Sequence, residues 1–183
     1  MKPMPGLDAL LARGRALGVF GTKERSVIHA ADREGIAAIV AQQFAVARTV
    51  LDAGLMPILE PEYSIKAPDR AEGETILRDE ILAALDALEH GRQVMLKLSL
   101  PVVPGTYDAL VDHPAVLKVV ALSGGHNRAE ACAELAKNRG VIASFSRALL
   151  DDLRFGMSAA EFNAALDRAI GEIHAASTVK VAA

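Results

Sequence analysis

The sequence has very little cysteine: Cys132 is the single one among 183 residues. One thiol excludes an internal disulfide and leaves no cysteine cluster for zinc. The five histidines are far apart in the sequence, and none stands at ligand spacing from another. The sequence therefore gives no support to a metal centre.

Runs of basic residues are also absent, and the formal net charge is -3. This balance argues against nucleic acid or a polybasic membrane surface as the main partner. The first eighteen residues contain no uninterrupted apolar core and carry Arg13 and Arg15 within their periodic part, unlike a signal peptide or a membrane span. We expect a cytoplasmic protein whose ligand is a small molecule.

What the sequence does have is 51% hydrophobic residues and a repeated alternation of helical and strand patterns. The length suits a single domain, residues 1–183, with a sizeable core. Strands are predicted over 19–23, from 55 to a proline at 61 with Glu60 as the last strand residue, and over 93–101, 117–122 and 141–145. Helices are predicted over 7–17, 32–53, 74–89, 107–112, 127–138, 148–153 and 159–176. Such alternation predicts an α/β fold with a parallel sheet covered on both faces, either an open doubly wound sheet or a (β/α)8 barrel.

Lys97 is out of place, because it lies within the apolar stretch QVMLKLSLP. Alternation puts Leu96 and Leu98 on one face of this strand, and Met95, Lys97 and Ser99 on the other. A lysine in apolar surroundings has a lowered pKa, so its free amine can attack a carbonyl group and form a Schiff base. The alternative is an edge-strand lysine that reaches water and protects against aggregation.

Lys97 is one of several polar residues that are predicted at or near the carboxyl ends of successive strands. They are Lys23, Glu60, Lys97, Ser123 and Arg147. In both candidate folds these ends meet at the ligand site. The set combines an amine nucleophile, a carboxylate that can move protons, and a cationic, glycine-rich anion site. It suits Schiff-base chemistry on a phosphorylated carbonyl compound.

At these residues the sequence resembles bacterial class I fructose-bisphosphate aldolase, through the motifs FGTKERS, GLMPILEPE, VMLKLSLP, VVALSGG and ASFSRAL. The resemblance implies a TIM barrel of the (β/α)8 type and the reversible cleavage of fructose 1,6-bisphosphate in glycolysis and gluconeogenesis. It further implies a C-terminal portion of such a barrel, with about five parallel strands, that begins where the family's fourth strand is about to begin. The three earlier strands would carry an aspartate and a lysine of the family's site.

The same resemblance implies the roles of individual residues. Lys97 is similar to the Schiff-base lysine, and Glu60 to the general acid and base, with Glu62 beside it. Lys23 is similar to a lysine that balances charge. The substrate phosphates would contact Arg25, Ser123, Gly124, Gly125 and Arg147. No metal or other cofactor is implied, since the iminium itself is the electron sink.

Two other hypotheses stay open. One is a non-catalytic fragment that binds sugar phosphates or assembles with a partner through an open sheet edge. The other is a different Schiff-base enzyme acting on a phosphorylated ketose, similar to transaldolase or deoxyribose-phosphate aldolase. In each case we expect a homo-oligomer or association through the open edges of the sheet.

Overall fold

A computed structural model of the protein describes residues 3–181. Strands and helices alternate along the chain, as the sequence predicts. The strands are β1 (Gly21–Ile28), β2 (Met56–Tyr63), β3 (Val94–Ser99), β4 (Val116–Leu122) and β5 (Ile142–Ala143). The helices are α1 (Leu7–Ala16), α2 (Arg33–Asp52), α3 (Arg70–Asp86), α4 (Asp108–Val111), α5 (Arg128–Ala136), α6 (Arg147–Leu150) and α7 (Ala159–Thr178). None of these helices combines the length and the apolar character needed to cross a membrane.

The five strands form one parallel sheet in the order β1-β2-β3-β4-β5. Each strand lies beside its neighbour in sequence, so the chain always advances in one direction. A doubly wound sheet would reverse direction at a switch point, and that alternative is therefore wrong. Right-handed crossovers that all advance in one direction put the helices on one face of the sheet. The expectation that helices cover both faces is also wrong.

The helix-covered face holds the main core. Its strands contribute the fully buried Leu59, Leu96 and Leu98, which pack with apolar residues of the helices. α2 forms where the sequence predicts it, with Ile36 among its buried residues, and it begins at Asp32, whose side chain accepts a hydrogen bond from the Gly35 N–H. The opposite, inner face carries Lys23, Glu60 and Lys97.

Two of the differences from the predicted strand boundaries bear on the site residues. β1 runs over Gly21–Ile28 rather than over 19–23, so Lys23 lies early in the strand and not at its carboxyl end. β2 does not end at Glu60 but continues through Pro61 to Tyr63. Proline is excluded from a strand only where a neighbour needs its missing N–H, and the paired part of the junction with β3 ends at Leu59, before Pro61.

The junction between β2 and β3 is paired over a short stretch. Ile58 pairs with Met95 and Leu59 with Leu96. By contrast, β1 and β2 pair along the whole of Gly21–Ile28. Beyond Leu59 the register pairs between β2 and β3 stop, and this is where the strands carry their charged residues.

Candidate active site

Glu60 lies at the centre of the inner face and is 3% exposed. One carboxylate oxygen, Oε1, is 3.0 Å from Lys97 Nζ. The other, Oε2, accepts a hydrogen bond from the Lys23 ammonium group. Alternation and register produce this arrangement, because Lys23, Glu60 and Lys97 stand on inward positions of three adjacent strands. A buried carboxylate thus holds two ammonium groups together.

Lys97 is the fourth residue of β3, and its side chain is 14% exposed. The sequence suggests apolar surroundings for its amine, but the structure gives it a carboxylate partner instead. A carboxylate at 3.0 Å can take a proton from the amine and return it to a departing hydroxyl group. The pair of Lys97 and Glu60 therefore has the geometry of a nucleophile with its own acid and base.

Arg25 and Glu62 form a second ion pair on the inner face, with Arg25 Nε 2.6 Å from Glu62 Oε2. Hydrogen bonding to Glu62 and the charge of that carboxylate raise the pKa of the Arg25 guanidinium above its ordinary value. Arg25 is exposed and Glu62 is largely covered. The pair faces the same cavity as the pair of Lys97 and Glu60.

The cavity has a volume of about 390 Å³. Its lining consists mainly of charged and hydroxyl-bearing residues, namely Arg25, Glu60, Glu62, Lys97, Leu122, Ser123, Gly124, Ser144, Ser146 and Arg147. Seven residues that the sequence analysis selected are among them. Lys23 is not in the lining but contacts Glu60, and Gly125 is not in the lining either.

The lining residues that the sequence analysis missed are Leu122 and the two polar ones, Ser144 and Ser146. The two serines flank the buried Phe145 directly after β5. Successive side chains of an extended segment point to opposite sides, so both serines point away from the side on which Phe145 packs. That alternation was available in the sequence.

Ser123 comes directly after β4 and lines the cavity. Gly124 and Gly125 have φ values of 65° and 118°, a region that favours glycine. A Cβ atom on Gly124 would lie 2.5 Å from Ile65 Cγ2. The turn therefore needs glycine both for its backbone angles and for its packing, whether or not it also binds an anion.

Arg147 is not at the end of a strand, as the sequence analysis expected, but is the first residue of α6. It is exposed, and within residues 3–181 it forms no ion pair. The cavity is thus lined by three cationic side chains and two carboxylates, namely Arg25, Lys97, Arg147, Glu60 and Glu62. Lys23, which contacts Glu60, adds a fourth cation. This excess of positive charge favours an anionic ligand.

No model of a protein family matches the chain. Among curated proteins, it is 49% identical over 177 residues to a protein named fructose-bisphosphate aldolase class 1 from Synechocystis sp., and this match covers 97% of the chain and 59% of the relative. A protein of the same name from Porphyromonas gingivalis is 48% identical over 177 residues, covering 97% of the chain and 60% of the relative. The chain spans about three fifths of the length of these relatives.

Among solved structures, the chain is similar to a fructose-bisphosphate aldolase from Plasmodium falciparum, crystallised in complex with TRAP and a small-molecule inhibitor. The TM-score is 0.74 at 20% sequence identity, and the match covers 94% of the chain and 61% of the other protein. At this identity the likeness concerns the fold. It agrees with a partial barrel of five parallel strands.

Proposed function

We propose that this chain, which is homologous over 97% of its length to class 1 fructose-bisphosphate aldolases, performs the Schiff-base chemistry of such an enzyme on a phosphorylated ketose. The observation that carries the proposal is the contact of Lys97 Nζ with Glu60 Oε1 at 3.0 Å, inside a cavity with an excess of cationic groups. The substrate we propose is fructose 1,6-bisphosphate, cleaved reversibly to dihydroxyacetone phosphate and glyceraldehyde 3-phosphate.

In the first half of the reaction, the neutral amine of Lys97 attacks the keto carbon and forms a carbinolamine. Glu60, after taking a proton from the nitrogen, returns a proton to the hydroxyl group, and water leaves. The product is an iminium ion on Lys97. Lys23 keeps a positive charge beside Glu60 through these steps.

In the second half, a base takes the proton from the hydroxyl group on C4, the bond between C3 and C4 breaks, and its electron pair moves into the iminium to form an enamine. The aldehyde departs, the enamine is protonated at C3, and water hydrolyses the imine. We assign Glu62 to support of this proton transfer, since its carboxylate faces the same cavity.

The substrate phosphates would contact the cationic parts of the site. Arg147, Ser123 and Gly124 line the cavity and, with the adjoining Gly125, form what we call its anion end. Arg25 lies beside Glu62. Arginine and backbone N–H groups are preferred phosphate ligands. A cavity of about 390 Å³ lies within the range of small-molecule sites.

Imine trapping tests the proposal. Incubation with dihydroxyacetone phosphate and borohydride should add one reduced ligand, seen by intact mass, and peptide mapping should place it on Lys97. Lys97→Arg should abolish the adduct, because arginine keeps the charge but forms no imine. Lys118→Arg is the matched control, since Lys118 lies in β4 opposite Met95 and its loss should change nothing. An adduct on another lysine, or none on folded protein, contradicts the proposal.

We also propose that residues 1–183 act as one domain in the cytoplasm and associate with further copies through the edges of the sheet. Within residues 3–181, β1 and β5 each pair on one side only, and an unpaired edge of eight residues such as β1 invites pairing. Sedimentation tests this assembly. A monomer at every concentration would contradict it.

A further inference from the structure

The two strands that carry Glu60 and Lys97 are held together differently from their neighbours. Their register pairs are Ile58 with Met95 and Leu59 with Leu96, and both lie before the charged residues. On the other side of β3, pairing with β4 continues to Ser99. The register pairing between β2 and β3 thus ends where the charged side chains project.

Pro61 explains the end of this pairing. Along β2 the N–H groups of Met56 and Ser64 donate to carbonyl groups on the β1 side. Because successive residues of a strand address opposite neighbours, odd-numbered residues of β2 address β3. Pro61 belongs to that set and has no N–H to donate.

A side chain replaces the missing main-chain contact. The Ser99 hydroxyl donates a 2.7 Å hydrogen bond to the Tyr63 carbonyl oxygen across the gap. Ser99 is 1% exposed and Tyr63 is 0% exposed, so water does not compete for this bond. Ser99 follows Lys97 on the same face of β3 by two residues.

Tyr63 itself is fixed on its other side. Its hydroxyl group donates to Asp69 Oδ1 at 3.0 Å, and Asp69 Oδ2 accepts the Ala31 N–H at 2.7 Å. A Cβ atom on Gly73 would lie 2.0 Å from the Tyr63 hydroxyl oxygen, so α3 leaves the ring no room to shift. Ser99 is therefore hydrogen-bonded to a residue that has no room to shift. Asp69 also connects that residue to Ala31, which follows β1.

We propose that Ser99 is a positioning residue: its bond to the Tyr63 carbonyl sets the separation of β2 and β3 and so keeps Glu60 within proton-transfer distance of Lys97. The inference rests on the proposed Schiff-base function, which gives that distance its importance. A displacement of about 1 Å at a reacting group costs roughly 100-fold in rate.

The test compares Ser99→Ala with Ser99→Thr, which keeps the hydroxyl group. We measure the rate of imine formation with dihydroxyacetone phosphate, by borohydride trapping, from pH 5 to 9. Ser99→Ala should slow imine formation about 10- to 100-fold and change its pH profile, because dehydration of the carbinolamine loses a well-placed acid. Ser99→Thr should stay within about threefold of the wild type. Ser26→Ala is the matched control, since it removes a strand hydroxyl that accepts a hydrogen bond from Gln43 on the β1 side of Pro61, outside the contact between β2 and β3.

An unchanged rate and profile in Ser99→Ala would overturn the inference, and so would an equal slowing in Ser26→Ala. A second readout needs no substrate. In ¹³C NMR spectra of the lysines at one pH, Glu60→Gln should move the Lys97 Cε resonance in the wild-type background and clearly less in Ser99→Ala, where the two groups lie farther apart. If the wild type gives no adduct, the proposed function fails, and this coupling still decides the role of Ser99.

Discussion

Two glutamates in neighbouring strands of this protein have opposite surroundings. Glu60 in β2 points to the inner face and has an ammonium group on each carboxylate oxygen. Glu24 in β1 points to the helix-covered face, and among the described residues neither of its buried oxygens has a hydrogen-bond partner. Burial without a partner raises the pKa of Glu24 to about 7. Burial thus disfavours the charged form of Glu24, whereas Glu60 has a cationic partner for each oxygen.

The largest effect should follow from removing the paired charge. Glu60→Gln leaves Lys97 without its acid and base, so imine trapping with dihydroxyacetone phosphate should slow by about 100- to 1,000-fold. Binding of inorganic phosphate, measured by calorimetry, should be no weaker than in the wild type, because Glu60 repels anions. Trapping within threefold of the wild-type rate would remove Glu60 from the mechanism.

A third glutamate allows the comparison to be reversed. Glu74 is fully buried, with Arg70 Nη2 at 2.6 Å and the Val102 N–H at 2.8 Å. Arg70→Met should leave this carboxylate with the Val102 N–H but without a cationic partner, and should lower the free energy of unfolding by about 3 kcal/mol at pH 8.

Urea unfolding measures this change, and Arg78→Met on the same helix is the control. Arg78 pairs with Asp79 at a partly exposed position, so its loss should cost under about 1 kcal/mol. Equal losses in the two variants would show that the burial of Glu74 is unimportant.

Glu24 should make stability depend on pH. Its pKa is raised on folding, so the folded state binds the proton more tightly. The contribution is complete below the unfolded pKa of 4.5 and is lost as the pH rises to about 7. Glu24→Gln should therefore stabilise the protein at pH 8 by about 2 kcal/mol, less than the full shift implies because the residue is partly exposed. At pH 4.5 the difference should be close to zero.

Chemical unfolding of Glu24→Gln and the wild type at both pH values checks the sign. Glu34→Gln changes an exposed glutamate of α2 and should show no such dependence. A constant difference between pH 4.5 and pH 8 would mean that Glu24 finds a partner in solution.

The smallest effect concerns the anion end of the cavity. Arg147→Met removes an exposed cation from the lining, and affinity for inorganic phosphate should fall about tenfold, or about 1.4 kcal/mol. Arg154→Met, at an exposed position a few residues later, should leave the affinity unchanged. Equal losses would indicate a general effect of net charge.

Side-chain periodicity predicted much of this arrangement. The alternation of side chains along a strand put Lys97 on the face opposite Leu96 and Leu98. The 3.6-residue spacing of apolar residues identified the buried face of α2. Alternation alone could not show that Glu60 meets Lys97, because that contact depends on the register of strands 37 residues apart. Nor could it place Pro61 inside a strand, because β2 accepts a proline at this position only where β3 does not pair with it.

Arg147 shows a different limit of the sequence. The strand predicted over 141–145 is reduced to Ile142–Ala143, and the chain then turns into α6, which begins at Arg147. The residue still lies in the cavity, but on a helix rather than at a strand end. The length of an edge strand depends on what lies beside it, which local pattern does not contain.

The sequential order of the strands has a consequence for folding. Because each strand pairs with the next one along the chain, the sheet can grow by one strand and helix at a time, with only short loops to close at each step. Glu60 and Lys97 meet once β3 has joined β2, before β4 and β5 are in place. If the sheet grows in this order, the amine and its acid come together when β3 joins β2, and the anion end of the cavity is added afterwards.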